Sequence, residues 1–290
     1  LRERREKVRR KRGTPLDLAV FETDAGVLET PDGATGVADG LWVARAWTCR
    51  RGGGAASLEA ILDLWAAPDV ERAADAASRL ALTANWLFSG RDGRIAAQQS
   101  GLLPRRRRET GLLPLRGWEP DDLWDGTLPP AALARVVDPP EGLLVTANDG
   151  GHGGWKPVGI TLCMGSDRAD RLRELLAARR GGGHGLAPAD LGAMQSDVVS
   201  GQARRLLSAL DPFLPDVPGV RFLRSWDRRY DAASRGAVLF ERLYAALCEE
   251  LFGARLFGPE AWRALRYTTL VHPFFFRLFD DVLAREEGAE

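Results

Sequence analysis

Apolar positions change their period part-way along the chain. From Leu16 to Thr48 they fall in short runs, Leu18, Val20 and Val27–Leu28, cut by Asp, Gly and Pro as in Pro31-Asp32-Gly33, which predicts strands and turns. Leu41 to Trp47 alternates large and small groups in strand fashion. After Gly52-Gly53-Gly54, the residues Leu58, Ile61, Leu62 and Trp65 recur at i, i+3, i+4, i+7 and predict a helix with one apolar face and Ser57 as its N-cap. Strands at Thr83 to Ser89 and Arg94 to Gln98 flank Arg91-Asp92-Gly93, whose Asp-Gly pair supplies the positive φ of a tight hairpin. Residues 101–142 are dominated by turns, with Trp118 and Trp124 expected to anchor them on the body. A strand from Leu143 to Ala147 is expected to end at Asn148-Asp149-Gly150. Helical periodicity then takes over in Arg168 to Arg179, Ala189 to Leu210 and Ala237 to Phe252. The reading is α+β: a strand-rich part over 1–150 and a mainly helical part over 151–290, both belonging to one domain, with no internal repeat.

Composition narrows the chemistry. With 45% hydrophobic and 28% charged residues over 290 positions, the chain can bury a core without disulfides and is not disordered throughout. Forty basic residues balance forty acidic ones, so no global field recruits nucleic acid or an anionic membrane. No stretch approaches the ~18 apolar residues of a membrane span. Cys49, Cys163 and Cys248 are too few and scattered for a disulfide framework or a four-thiolate site. The basic runs Leu1 to Gly13 and Arg105 to Arg108 lack interleaved aromatics and read as solvated edges; a polyanion-binding arm is the alternative. His152, His184 and His272 show no zinc-ligand spacing. There is no nucleophile elbow, no P-loop lysine, and Gly150 to Gly154 is no dinucleotide fingerprint.

An ordered set of short motifs goes further. Asn85-Trp86-Leu87-Phe88-Ser89-Gly90-Arg91-Asp92-Gly93-Arg94-Ile95 leads to Ser100-Gly101 and Pro104, then Gly117-Trp118, Trp124-Asp125-Gly126 and Pro129. Pro139-Pro140, Gly142 and Thr146-Ala147-Asn148 follow, then Asp167-Arg168-Ala169, Arg171-Leu172, Asp190, Met194-Gln195, Asp197 and Ser200, and finally Trp226-Asp227, Asp231 and Ser234. This order resembles the middle of the β-chain of the penicillin acylase (penicillin amidase) family, from about Trp42 to Leu247.

The resemblance implies part of an αββα N-terminal-nucleophile hydrolase sandwich beside a helical segment. It implies cleavage of the amide bond of an N-acylated small molecule, a penicillin-type β-lactam, an acyl-homoserine lactone or similar, by an N-terminal serine that uses its own α-amine as base. Such an amine ordinarily titrates at ~7.7–8.0, close to its hydroxyl and to working pH. Asn148 matches the family's side-chain oxyanion donor, a contribution of ~2.7–4 kcal/mol, and Arg168 matches the arginine that orients it. Read without the resemblance, Asn148 is a turn residue and Arg168 an exposed helix arginine. The nucleophile, the backbone oxyanion donor and most calcium ligands are implied to lie upstream of these residues, so structural calcium is a family expectation only. Asp149 stands where the family usually repeats asparagine, and Asp24-Ala25-Gly26 stands at a His-Gly-Pro strand motif. A family section also has no counterpart beyond about Val271. With Leu1 rather than Met at its start, the chain reads as truncated at both ends and inactive alone. Its expected partners are the α-chain and the remainder of the β-chain, and the expected location is periplasmic or extracellular. A non-catalytic binding or structural relative is the alternative.

Overall fold

The structure, a computed structural model, describes residues 1–30, 36–107, 114–151, 154–159, 165–180 and 186–267. The chain divides into two compact units, Leu1–Leu144 with His152–Ile160, and Val145–Gly151 with Thr161–Glu290. The motif positions at His152, Cys163, His184 and His272 lie outside the described residues.

The first unit opens with an antiparallel sheet of β1 (Arg2–Val8), β2 (Leu16–Thr23), β3 (Gly26–Leu28) and β4 (Ala44–Arg45), in that spatial order. Strand β1 is exposed along its whole length. Its arginines meet carboxylates close by: Arg2 with Asp24 at 3.3 Å, Arg4 with Glu22 at 3.6 Å and Arg5 with Glu3 at 2.8 Å. The second basic run behaves alike, with Arg105 on Asp125 and Arg107 on Asp121. Only two residues of the run Leu41 to Trp47 join the ladder, because its large members Leu41, Val43 and Trp47 point into solvent and not onto a packed face. Gly26 is required at its turn: φ is +151°, and a Cβ there would sit 2.5 Å from the Arg45 carbonyl oxygen.

Helix α1 (Gly54–Ala66) is capped by Gly53 and not by Ser57. The Ser57 hydroxyl instead donates to the Gly53 carbonyl at 2.6 Å and accepts from the Ala81 N–H at 2.9 Å, tying the helix to the loop that follows α2. The apolar stripe marks the helix but not its buried side: Ala60 is buried, whereas Leu58, Leu62 and Trp65 are exposed. In α2 (Val70–Ser78), Asp69 caps the Arg72 N–H at 2.8 Å. The alanine face Ala73, Ala74, Ala76 and Ala77 lets α2 sit close against the next sheet, with Ala60, Leu80, Trp86 and Phe88 joining the core.

That sheet is the expected hairpin, β5 (Ala84–Ser89) and β6 (Ile95–Ser100), registered from Ala84↔Ser100 to Ser89↔Ile95 around Gly93 at φ +86°. The turn-rich stretch adds a ribbon of β7 (Pro104–Arg106) with β8 (Trp124–Thr127), while β9 (Arg135–Val137) pairs with β6. Their three- and four-residue lengths are too short for a period-two signal. Trp118 is exposed and anchors nothing; Trp124 is half-buried under Arg106, 5.9 Å from its ring centroid. On β6 the buried amide of Gln99 holds a distant segment by donating to the Val158 carbonyl and accepting from the Val158 N–H, both at 2.9 Å. Leu143 to Ala147 forms no strand, so the expected strand is absent there.

The second unit is helical: α3 (Asp167–Arg180), α4 (Pro188–Gln195), α5 (Gly201–Leu210), α6 (Pro218–Ser225), α7 (Arg235–Cys248), a π-helical continuation over Glu249–Leu256, and α8 (Pro259–Tyr267). The single helix expected over Ala189 to Leu210 is broken. The Val198–Ser200 backbone leaves the helix to pair with Arg228–Tyr230, and the Ser200 hydroxyl accepts from the Ala203 N–H at 3.0 Å to cap α5 afresh. Leu206, Leu207, Leu223, Phe240, Tyr244, Phe252 and Trp262 form the core of this unit.

Candidate active site

Both residues singled out from sequence fall in the second unit, and the structure brings them together. Thr146-Ala147-Asn148-Asp149 forms a turn against the first turn of α3, where the Asp170 N–H donates to the Ser166 carbonyl at 2.8 Å. Asn148 adopts φ +64°, a left-handed conformation that asparagine tolerates better than most residues. Arg168, second in α3, donates from Nη2 to the Ala147 carbonyl at 2.6 Å and to Asn148 Oδ1 at 2.8 Å.

The second contact orients the amide. A guanidinium has donors only, so the oxygen of the Asn148 amide must face it. The amide nitrogen, with its two N–H groups, then points the other way, and Asn148 is exposed. The cationic partner also draws electron density toward Oδ1, which makes the N–H groups better donors. What results is a neutral donor, backed by a fixed positive charge, aimed away from the protein body. That is the equipment needed to stabilise a negative oxygen that develops during a reaction.

The turn is held from beneath. Asp149, only 3% exposed, accepts from the Ala147 N–H through Oδ1 at 3.0 Å and from Arg173 Nη2 through Oδ2 at 3.3 Å. In the sequence Asp149 shows only as a departure from the family's asparagine, and Arg173, one arginine among many, carries no pattern.

Behind the site, α3 and α5 are locked by ion pairs. Arg171 forks onto Asp197 with two 2.9 Å hydrogen bonds and also reaches Glu174 at 3.0 Å. Arg204 brackets Glu174 at 3.0 and 3.1 Å, and Arg205 meets Asp167 at 3.2 Å. The Arg171 hydrogen bonds hold the Asp197 carboxyl below its ordinary range despite burial, helped by the Val199 N–H; Arg204 does the same for Glu174. Close approach at this interface falls on Gly201, where a Cβ would lie 3.1 Å from Asp167 Cβ.

Among the described residues, no group of three or more His, Cys, Asp or Glu side chains converges as a metal cage. No described helix is long and apolar enough to cross a membrane.

Comparison with known proteins decides the family. The penicillin amidase family profile matches residues 1–287. The chain belongs to that family. Penicillin amidase relatives include a penicillin acylase 2 proenzyme of a Pseudomonas species, 36% identical over 151 residues, which cover 50% of this chain and 19% of that protein. The acyl-homoserine lactone acylase QuiP of Pseudomonas syringae pv. syringae is 30% identical over 287 residues, covering 88% of this chain and 32% of the relative. A solved thermostable penicillin G acylase from Alcaligenes faecalis superposes with a TM-score of 0.67 at 20% identity, over 91% of this chain and 48% of that one. The mixed helix and sheet architecture is thus shared with that penicillin G acylase. The chain spans about a third of the length of the QuiP relative and about half of the solved acylase chain.

Proposed function

We propose that these residues are a section of an amide-cleaving acylase in which Asn148 stabilises the oxyanion and Arg168 orients it. The observation that carries the reading is the Arg168–Asn148 Oδ1 contact, which leaves the amide N–H groups outward and available. The nucleophile belongs to a longer processed polypeptide: an N-terminal serine whose oxygen bonds to the acyl carbon while its α-amine takes the hydroxyl proton. The carbonyl electron pair moves to oxygen, and there the Asn148 N–H donates. Collapse expels the amine, which carries away the proton, and water then hydrolyses the acyl ester to release the acid. The substrate is an N-acylated small molecule of the penicillin or acyl-homoserine lactone kind, a reading supported by the relatives being a penicillin acylase and an acyl-homoserine lactone acylase.

The test uses the longer polypeptide that carries this section and a chromogenic N-acyl substrate. Asn148→Ala is expected to lower kcat by about 10²–10³-fold, the usual loss for one oxyanion donor. Unchanged turnover would remove Asn148 from the reaction. The 290-residue polypeptide alone is expected to hydrolyse nothing; measurable turnover by it would show that the nucleophile lies within these residues.

A further inference from the structure

The backbone of Ala147 is held on both sides. Its carbonyl accepts from Arg168 at 2.6 Å and its N–H donates to Asp149 at 3.0 Å. Both cations around the turn come from one helix, Arg168 and Arg173 of α3, separated by about 7.5 Å of helical rise. Asn148 has no helix or strand to fix it, and φ +64° is a conformation that an isolated asparagine visits only as a minority state. Something other than secondary structure must select it. The carboxylate that does so is nearly removed from water and is itself aimed by Arg173, which also pairs with Asp170. Rotation of Asp149 would free the Ala147 N–H, let the backbone at Ala147 change its torsions and carry the Asn148 amide off Arg168.

We propose that Asp149 and Arg173 are a positioning pair: they fix the backbone at Ala147 and thereby the direction in which the Asn148 N–H groups point. The inference rests on Asn148 as oxyanion donor for its effect on catalysis, but the positioning itself can be observed without catalysis. Neither residue touches substrate. Their effect passes through Ala147 to Asn148.

Two measurements test it. The chain contains two asparagines, Asn85 and Asn148, so selective ¹⁵N-asparagine labelling of the 290-residue polypeptide yields two side-chain amide pairs. Asp149→Ala is expected to move the Asn148 signals to unstructured positions and leave Asn85, in the hairpin of the other unit, in place. In the longer enzyme the same substitution is expected to lower kcat by about a hundredfold, the scale of a small misplacement of a reacting group, with KM changed less than threefold. Arg173→Lys, which keeps a charge but loses the fork, should move the same signals part-way. If Asp149→Ala also disperses Asn85, the Arg173→Lys spectrum decides. Asn148 signals unmoved in both variants, or kcat unmoved in Asp149→Ala while Asn148→Ala abolishes turnover, would overturn the positioning role. Turnover unaffected by Asn148→Ala, with its signals still displaced by Asp149→Ala, would instead overturn the oxyanion reading and leave the pair intact.

Discussion

Replacing Gly236 by alanine sets two effects of opposite sign against each other. Alanine is the better helix former by about 1 kcal/mol at most, and Gly236 is the second residue of α7. Against this, a Cβ at position 236 would lie 2.6 Å from Cδ2 of Trp226 and closer still to Cγ and Cδ1. Ordinary carbon–carbon contact is about 3.5–4.0 Å. The indole cannot easily retreat. Its Nε1 donates to the Arg229 carbonyl at 3.2 Å and Ser234 Oγ at 3.1 Å, and the ring packs on Tyr230, Phe240 and the Arg228 guanidinium at 5.7, 6.1 and 5.7 Å. Overpacking against a fixed ring costs about 3 kcal/mol, at the upper end of its usual range. The clash therefore wins by about 2 kcal/mol, and at about 2–4 °C per kcal/mol Tm falls by about 4–8 °C. Gly192 in α4 is the internal control: nothing lies within 4 Å of its Cβ, so Gly192→Ala is expected to stabilise by about 0.5–1 kcal/mol. Urea and thermal unfolding followed by circular dichroism would compare the two. A Tm for Gly236→Ala equal to or above the parent's would refute the reasoning, as would an undiminished penalty in a Trp226→Leu background, where the obstacle is gone.

Other outcomes follow from individual contacts. Asp197→Asn should cost about 1.5–3 kcal/mol at neutral pH, the value of a hydrogen bond to a charged group, because its side chain is only 12% exposed and forked by Arg171. Since folding lowers the Asp197 pKa, that stabilisation is complete above the unfolded value of about 3.9 and fades as pH falls through the folded one; chemical denaturation at pH 7 and at about pH 3 should show the gap closing, and a gap that widens in acid would contradict it. Asn148→Asp keeps an acceptor for Arg168 but has no N–H to donate, so unfolding should be nearly unchanged while turnover of the longer enzyme falls by about 10²-fold or more. Gln99→Leu strips both partners from Val158 in a buried setting and should destabilise by about 2–4 kcal/mol, read from urea unfolding; a loss below about 0.5 kcal/mol would mean that water replaces the amide.

What the sequence revealed depended on whether the signal was local. The β5–β6 hairpin was legible because Asp92-Gly93 dictates its turn, and α3 because Leu172, Leu175 and Leu176 share a face. The break between α4 and α5 was missed because apolar spacing runs through it, while its causes, pairing with Arg228–Tyr230 and a fresh cap at Ser200, are a distant strand-like contact and a single hydroxyl. The α1 stripe gave the helix but not its orientation, since exposure depends on what packs against it. At the site, Asn148 and Arg168 were found through motif order and not through any property of their own. Asp149 shows in the sequence only as a departure from the family's asparagine and the pairing with Arg173 not at all, for a contact 24 residues apart leaves no periodicity to read.

The outward side of α1 bears on how this polypeptide will behave at the bench. Trp65 is 80% exposed, and Leu58 and Leu62 lie beside it on the same stripe, with Leu41, Val43 and Trp47 elsewhere in the unit equally wet. A ridge of this kind adheres to its own copies and to plastic. Light scattering of the isolated polypeptide should climb with concentration and with ammonium sulfate, which strengthens apolar association, and fall again in a mild detergent or on Trp65→Glu. Assays and spectra of the isolated polypeptide therefore belong at low micromolar concentration and modest salt, where a clumped sample cannot pass for an inactive one.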